Sequence, residues 1–271
     1  MAAVPASAVE PRIPVVEVLS ADKVYANGTR ALNPVELAIW PGEFVTLLGP
    51  SGCGKSTLLK MIANLIAPSA GRLLWWRHGF DRVGEAGKQL VMVFQDATLM
   101  PWARVRANVR LPLDLRSYEK NSSNERVAAA LALVGLTGFE RHYPRQLSGG
   151  MQMRASIARA LVTDPNLLLM DEPFGALDEI TRNRLDADLI QLWWKKKLTV
   201  VFVTHSIYEA VFLSTRVVVM AARPGRVLAE VTIDEPHPRT DAFRVTQKFA
   251  AYAKQLSEHL AEASSLGGEQ L

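Results

Sequence analysis

Residues 44–57, Phe44-Val45-Thr46-Leu47-Leu48-Gly49-Pro50-Ser51-Gly52-Cys53-Gly54-Lys55-Ser56-Thr57, run a short apolar stretch into a glycine-rich loop. Leu58, Met61, Ile62 and Leu65 then recur at helical spacing as far as Pro68, so the predicted order is strand, loop, helix. Gly49 to Thr57 has the spacing of a phosphate-binding loop, in the context such a loop requires. Its glycines let successive backbone N–H groups converge on an anion, since no side chain blocks the approach and unusual φ angles are open to them. The helix beginning at Lys55 or Ser56 adds the positive end of its dipole. Lys55 is placed to neutralise β- and γ-phosphates, and Ser56 to bind Mg²⁺ through its hydroxyl. Cys53 reads as a small spacer, although a thiol before a helix N-terminus is expected to have a lowered pKa and to react with alkylating agents.

On the N-terminal side, Val16 and Val18, and then Val35, Leu37 and Ile39, alternate with polar neighbours, which predicts half-buried antiparallel strands joined through an Asn27-Gly28 turn. Residues 1–14 carry three prolines and no periodicity and read as a loose leader. On the C-terminal side, Gly71–Trp75 and Leu90–Phe94 are predicted strands. From about 96 to 161 the pattern turns helical, with helices over Glu125–Val134 and Met151–Leu161, so this span is expected to be an all-helical insertion. Leu167–Met170, Val200–Val203 and Val217–Met220 are apolar on both faces and alternate with a helix near Glu179–Lys197, which indicates a mainly parallel sheet covered on both sides. Val245, Phe249, Tyr252, Leu256 and Leu260 form an amphipathic stripe, expected to dock on the chain's own domain or on a partner.

The composition excludes several classes. Of 271 residues, 49% are hydrophobic and 21% charged, the balance of an ordinary globular protein, so disorder is expected only at the ends. Lys and Arg number 31 against 27 Asp and Glu; the excess is mild and scattered, and the run Lys195-Lys196-Lys197 suits a helix C-terminus better than a nucleic-acid surface. A single cysteine excludes an intramolecular disulfide. The N-terminus lacks the basic and apolar regions of a secretory signal, and no apolar run approaches the roughly 18 residues that a membrane span needs.

Leu167-Leu168-Leu169-Met170-Asp171-Glu172 brings a buried strand to an end on two acids. Asp171 is placed to hold the Mg²⁺ shell, and Glu172 to polarise the water that attacks the γ-phosphate. Leu147-Ser148-Gly149-Gly150-Met151-Gln152 opens an Arg-containing helix about twenty residues before that strand. There Ser148, Gly149 and Gly150 can grip a phosphate with helix N–H groups.

This set resembles the signature of ATP-binding cassette (ABC) proteins, across roughly residues 15–235. The resemblance implies an α/β fold: a P-loop NTPase (RecA-like) core with an antiparallel β subdomain and an inserted α-helical subdomain at about 96–161, followed by a C-terminal amphipathic helix and tail over 236–271. It implies that Tyr25 stacks on adenine, and that Gln95 touches Mg²⁺ and the lytic water. Ala176-Leu177-Asp178 would meet a second subunit, and His205 would hydrogen-bond the γ-phosphate. Gly49, Pro50, Ser51, Gly52, Cys53, Gly54, Lys55, Ser56 and Thr57 would cradle ATP from one chain, and Ser148, Gly149, Gly150 and Asp178 would meet it from the other. Met151 stands where the general signature has Gln. Together with Leu99-Met100-Pro101-Trp102 it is similar to importers of the nitrate, sulfonate and taurine class, and related importers of pyrimidine or flavin precursors share these features.

By that resemblance the chain is the ATPase subunit of a bacterial importer, working as a homodimer at the cytoplasmic face of the inner membrane. Integral membrane permease subunits and an extracytoplasmic solute-binding protein would complete the system, and no nucleic acid is involved. An exporter ATPase has the same cassette chemistry. A soluble cassette acting on DNA or ribosomes is disfavoured: the chain holds one cassette, and only 93 positions separate Lys55 from Ser148, with no long coiled coil between them.

Overall fold

Strands with both faces apolar must lie between two layers, and that requirement organises the chain. A computed structural model describes residues 13–116 and 119–268; most of the expected leader, residues 1–12, lies outside them. The strands are β1 Val16–Val24, β2 Arg30–Ile39, β3 Phe44–Leu48, β4 Ala70–Trp75, β5 Leu90–Val93, β6 Leu167–Asp171, β7 Thr199–Thr204, β8 Arg216–Ala221 and β9 Arg226–Thr232. The helices are α1 Lys55–Ile62, α2 Val105–Leu115, α3 Lys120–Leu133, α4 Gly149–Leu161, α5 Glu179–Lys196, α6 Ile207–Leu213, α7 Asp241–Arg244 and α8 Gln247–Gly268.

The larger sheet has the order β5-β6-β7-β3-β8-β9, parallel except for the β8–β9 pair. Its side chains alternate between two cores. Phe44, Leu48, Val200, Phe202, Val217 and Val219 face one shared with α2 to α6 and α8. Val45, Leu47, Val201, Val203, Val218 and Met220 face another, shared with α1 and the three-stranded sheet β2-β1-β4. That smaller sheet is antiparallel, with Val16 opposite Ile39 and Val18 opposite Leu37. Each fully buried Val, Leu or Phe contributes about 1.5–3 kcal/mol, so the sheet is the main stabilising layer.

The described residues between 105 and 161 hold α2, α3 and α4 and no strand. Asn108, fully buried in α2, ties down the preceding loop. Its Oδ1 accepts from the Met100 N–H at 2.7 Å, and its Nδ2 donates to the carbonyls of Met100 and Ala103. Trp102, between the anchored Met100 and Ala103, is 77% exposed.

Two expected patterns are corrected. The first helix stops at Ile62 instead of running towards Pro68. Asn64 turns to φ 54°, a left-handed conformation that ends the helix, and Leu65 is left exposed. In the tail, Val245 lies between α7 and α8 and is exposed; the rest of the stripe holds, with Phe249 and Leu256 buried together with Ala263, and Tyr252 and Leu260 partly buried against the same core. This stripe packs on β8 and α6, so the terminal helix docks on its own domain.

His237 is wedged against that domain, its ring edge-on to Trp193 at 4.7 Å and stacked on Trp194 at 6.5 Å. Neither ring nitrogen has a hydrogen-bond partner among the described residues. Burial, helped by the nearby Arg239 guanidinium, pushes its pKa down to about 4 from the usual 6.5. The unfolded chain therefore takes up this proton first, and stability is lost as pH falls from 6.5 towards 4. At pH 5 the loss is about 1 kcal/mol after discounting for partial exposure. His237→Phe is expected to narrow the difference in melting temperature between pH 7.5 and pH 5; the same difference in both proteins would contradict the assignment.

Candidate active site

Parallel register decides which strand ends meet. Leu48 of β3 pairs with Thr204 of β7, Asp171 of β6 with Val203, and Val93 of β5 with Met170. The segments that begin at Gly49, Glu172 and His205, and at Gln95 one residue further on, therefore leave the same edge of the sheet. Ligands of open α/β sheets bind at this carboxyl edge.

The phosphate loop is shaped by two close approaches. Gly54 precedes α1 at φ 90°, and a Cβ there would lie 2.5 Å from Leu32 Cδ2. A Cβ on Gly49 would sit 2.5 Å from the Met220 carbonyl oxygen. Lys55 is buried, and its Nζ donates to the carbonyls of Gly49 at 2.8 Å and Pro50 at 3.0 Å. Its charge thus rests on neutral dipoles inside the loop, where an anion can exchange for them. Cys53 departs from expectation: it is fully buried, and desolvation, outweighing the nearby Lys55 charge, pushes the thiol pKa up rather than down. Reactivity with alkylating agents is not supported.

Ser56 Oγ donates to Asp171 Oδ1 at 2.8 Å, which brings two of the three expected metal residues together, the third being Gln95. Burial raises the Asp171 pKa, an effect partly offset by the Ser56 hydrogen bond and by Lys60. A half-buried carboxylate oxygen beside a hydroxyl is the hard-oxygen donor set that Mg²⁺ takes. Tyr25, 39% exposed, lies beside the same helix with its hydroxyl 3.3 Å from Thr57 Oγ1. Its ring is left accessible at the rim of the loop.

Glu172 stands at φ 44°, in left-handed space that a non-glycine residue occupies at a cost of about 1–3 kcal/mol. The strain is held by its N–H donating to the Val203 carbonyl at 3.0 Å. Its Oε2 lies 3.3 Å from His205 Nδ1. A Cβ built on Gly175 would lie 3.6 Å from Gln95 Nε2 and 3.8 Å from Glu172 Oε2, so these two side chains share one space.

Ser148, Gly149 and Gly150 are not part of this cluster. Ser148 caps α4, its Oγ accepting from the Met151 N–H at 3.3 Å. Gly149 faces Leu177, and Gly150 faces Thr181 so closely that a Cβ would lie 2.9 Å from its methyl carbon. Asp178 caps α5, its Oδ1 accepting from the Thr181 N–H at 2.9 Å, which holds the carboxyl below the usual range. Within one chain, no hydrogen bond among the described residues joins these groups to Lys55, Asp171 or Glu172.

Arg159, Asn108, Arg182 and Glu209 escaped the sequence reading, because lone polar residues on helices carry no periodic signal. Arg159 of α4 donates to the carbonyls of Ala97 and Thr98, each at 2.8 Å, tying the loop after Gln95 to the helical insertion. A cleft of about 740 Å³ between α3 and α5 is lined by none of the residues of the cluster.

The chain is similar to known proteins in both sequence and fold. The sequence profile described as ABC transporter matches residues 32–175. The chain is 48% identical over 230 residues to an uncharacterised ABC transporter ATP-binding protein of Methanocaldococcus jannaschii, a match covering 85% of this chain and 84% of that one. It is 43% identical over 222 residues to an aliphatic sulfonates import ATP-binding protein of Bacillus cereus, covering 80% and 86%. Among solved structures, cbiO1 of Clostridium perfringens, part of the ABC transporter complex cbiONQ, matches with a TM-score of 0.75 at 25% identity, over 93% of this chain and 98% of its own. A bacterial ABC transporter cassette solved as a dimer, in one case in a post-hydrolysis state bound to ADP and Pi, matches with a TM-score of 0.71 at 32% identity, over 82% of this chain and all of its own. A profile match over more than half of its length, and relatives above 40% identity across four-fifths of it, establish that the chain belongs to the ABC transporter family, with the P-loop NTPase fold of an ATP-binding subunit that hydrolyses ATP.

Proposed function

We propose that this subunit powers an importer for a sulfonate-like solute, nitrate and taurine being the other members of the class, and that two copies sandwich two ATP molecules between them. The observation that carries the reading is the division of the site within one chain. Lys55, Ser56, Asp171, Glu172 and His205 converge at one sheet edge, while Ser148–Gly150 opens α4 apart from them. A second copy would bring its α4 N-terminus to the exposed side of the first copy's loop. The dimeric cassette among the solved relatives supports this arrangement, and the sulfonate-import relative supports the direction and class of transport.

In this reading Lys55 and the loop N–H groups bind the β- and γ-phosphates, and Tyr25 stacks on the adenine with a contact worth about 1–3 kcal/mol. Ser56, Asp171 and Gln95 hold Mg²⁺, which when bound neutralises charge on the phosphate oxygens. Glu172 accepts a proton from the attacking water, and His205 orients Glu172 and donates to the γ-phosphate. Loss of phosphate reopens the pair, and the Gln95 loop with its exposed Trp102 would transmit the motion to permease subunits that a solute-binding protein loads from outside. No helix among the described residues is long and apolar enough to cross a membrane, so attachment to the cytoplasmic face would depend on those permease subunits.

The test is uptake by cells lacking this subunit, with sulfonates, nitrate, taurine and pyrimidine precursors offered in turn. Loss of uptake of the first class, restored by the wild-type chain and not by Lys55→Ala, is the expected result. Undiminished uptake of every sulfonate, nitrate and taurine would overturn the substrate class.

A further inference from the structure

The segment Ala176–Asp178 and the strand end that carries His205 are connected through buried polar atoms that no catalytic assignment uses. Arg182, on the first turn of α5, donates from one terminal nitrogen to the Leu177 carbonyl at 2.8 Å. Its Nε, which has no hydrogen-bond partner among the described residues, forms an ion pair at 3.7 Å with Oε1 of Glu209, a carboxylate only 6% exposed on α6. The other oxygen of Glu209 accepts a short hydrogen bond from the Thr204 hydroxyl, whose oxygen accepts from the Ser206 N–H at 3.0 Å. The residues on both sides of His205 are thus pinned to Glu209, and His205 itself reaches Glu172 at 3.3 Å. At the other end, Leu177 packs towards Gly149 of the α4 N-terminus.

A buried carboxylate and a half-buried guanidinium could be nothing more than charges neutralising each other. The geometry exceeds that role, because each partner spends its second polar group on a functional segment: Arg182 on Leu177, Glu209 on Thr204. Planarity matters here, since a guanidinium offers separate N–H groups in fixed directions and an ammonium is a point charge. Asp186 and Arg244, paired at 3.0 Å, flank the brace from the α7 side, and Arg182, Glu209 and Arg244 line one cleft with Ser206 and Tyr208.

We propose that Arg182 is a positioning residue for hydrolysis: through Glu209 and Thr204 it holds His205 in register with Glu172 according to how Ala176–Asp178 is seated. The inference rests on the assignment of His205 and Glu172 made above, and on a second copy seating Ala176–Asp178. It places the communication between the two subunits on one side chain.

The experiment is a double-mutant cycle on the purified full chain, with ATP turnover and single-turnover phosphate release as readouts. Arg182→Ala is expected to lower kcat about tenfold while KM for ATP stays within about twofold, and Arg182→Lys to recover only part of the loss. In a His205→Ala background the same Arg182→Ala change should lower kcat by less than about twofold, because the route through the histidine is already cut. An equal fold loss in both backgrounds, or wild-type kcat in Arg182→Ala, overturns the brace alone. Wild-type turnover in His205→Ala overturns the site assignment and this inference with it. Removing one partner of a buried pair can unfold a protein. If Arg182→Ala shows no cooperative melt, Thr204→Val, which deletes only the hydroxyl link, takes its place in the cycle under the same criteria.

Discussion

Glu172→Gln is expected to bind ATP as the wild type does, to turn over about 10²–10⁴-fold more slowly, and to accumulate as an ATP-bound dimer. The substitution removes the base and little else. The amide keeps the shape that fits beside His205 Nδ1 at 3.3 Å and Gly175, and the strained backbone at φ 44° stays held by the Val203 carbonyl. What disappears is a carboxylate able to take a proton from water. Light scattering with and without ATP would report the dimer, and phosphate release the rate. Wild-type turnover would remove Glu172 from its role, and a slow enzyme that stays monomeric with ATP would contradict the sandwich.

Lys55→Ala is expected to weaken ATP binding by about 100-fold, the scale of losing a charge-assisted contact to phosphate in a desolvated loop. Lys55 has a double role here. Its ammonium cross-links the loop through the Gly49 and Pro50 carbonyls, so the variant loses both the charge and part of the preformed curvature. The fold itself should survive, because the loop's backbone is also set by Gly54 at φ 90° against Leu32 and by α1 packing beneath it. Titration with a fluorescent ATP analogue measures the loss. Unchanged affinity in a protein that still melts cooperatively would show that the loop N–H groups suffice.

How far the sequence could be read depended on the kind of signal each element carries. β3, β6, β7 and β8 were legible because burial on both faces leaves an uninterrupted apolar run. α2 was not, since Pro112 lies inside it; Val105, Val109 and Leu113 hold it by packing on neighbouring helices. α6 spans seven residues, too few for a 3.6-residue period to show. β9 is a half-buried edge strand, recognisable only once β8 is there to pair with it. Leu65 continued a helical pattern that the turn at Asn64 had already ended, and Val245 extended the terminal stripe to a residue that precedes α8.

The sequence by itself determined the chemistry. Gly49–Thr57, Asp171-Glu172 and Ser148–Gly150 are local strings, in which the order of residues dictates which backbone N–H groups, hydroxyls and carboxylates stand side by side. Tertiary structure alone decided three matters that depend on what surrounds a residue. It buried Cys53, where desolvation outweighs the lysine and the helix terminus that would have activated the thiol. It set the β3, β6 and β7 ends in register so that Ser56 meets Asp171 and Glu172 meets His205, across more than a hundred and more than thirty positions of chain. It also joined Arg182 to Glu209 between two helices, a pairing without any sequence signal, because long-range contacts are chosen by packing and register rather than by neighbouring residues.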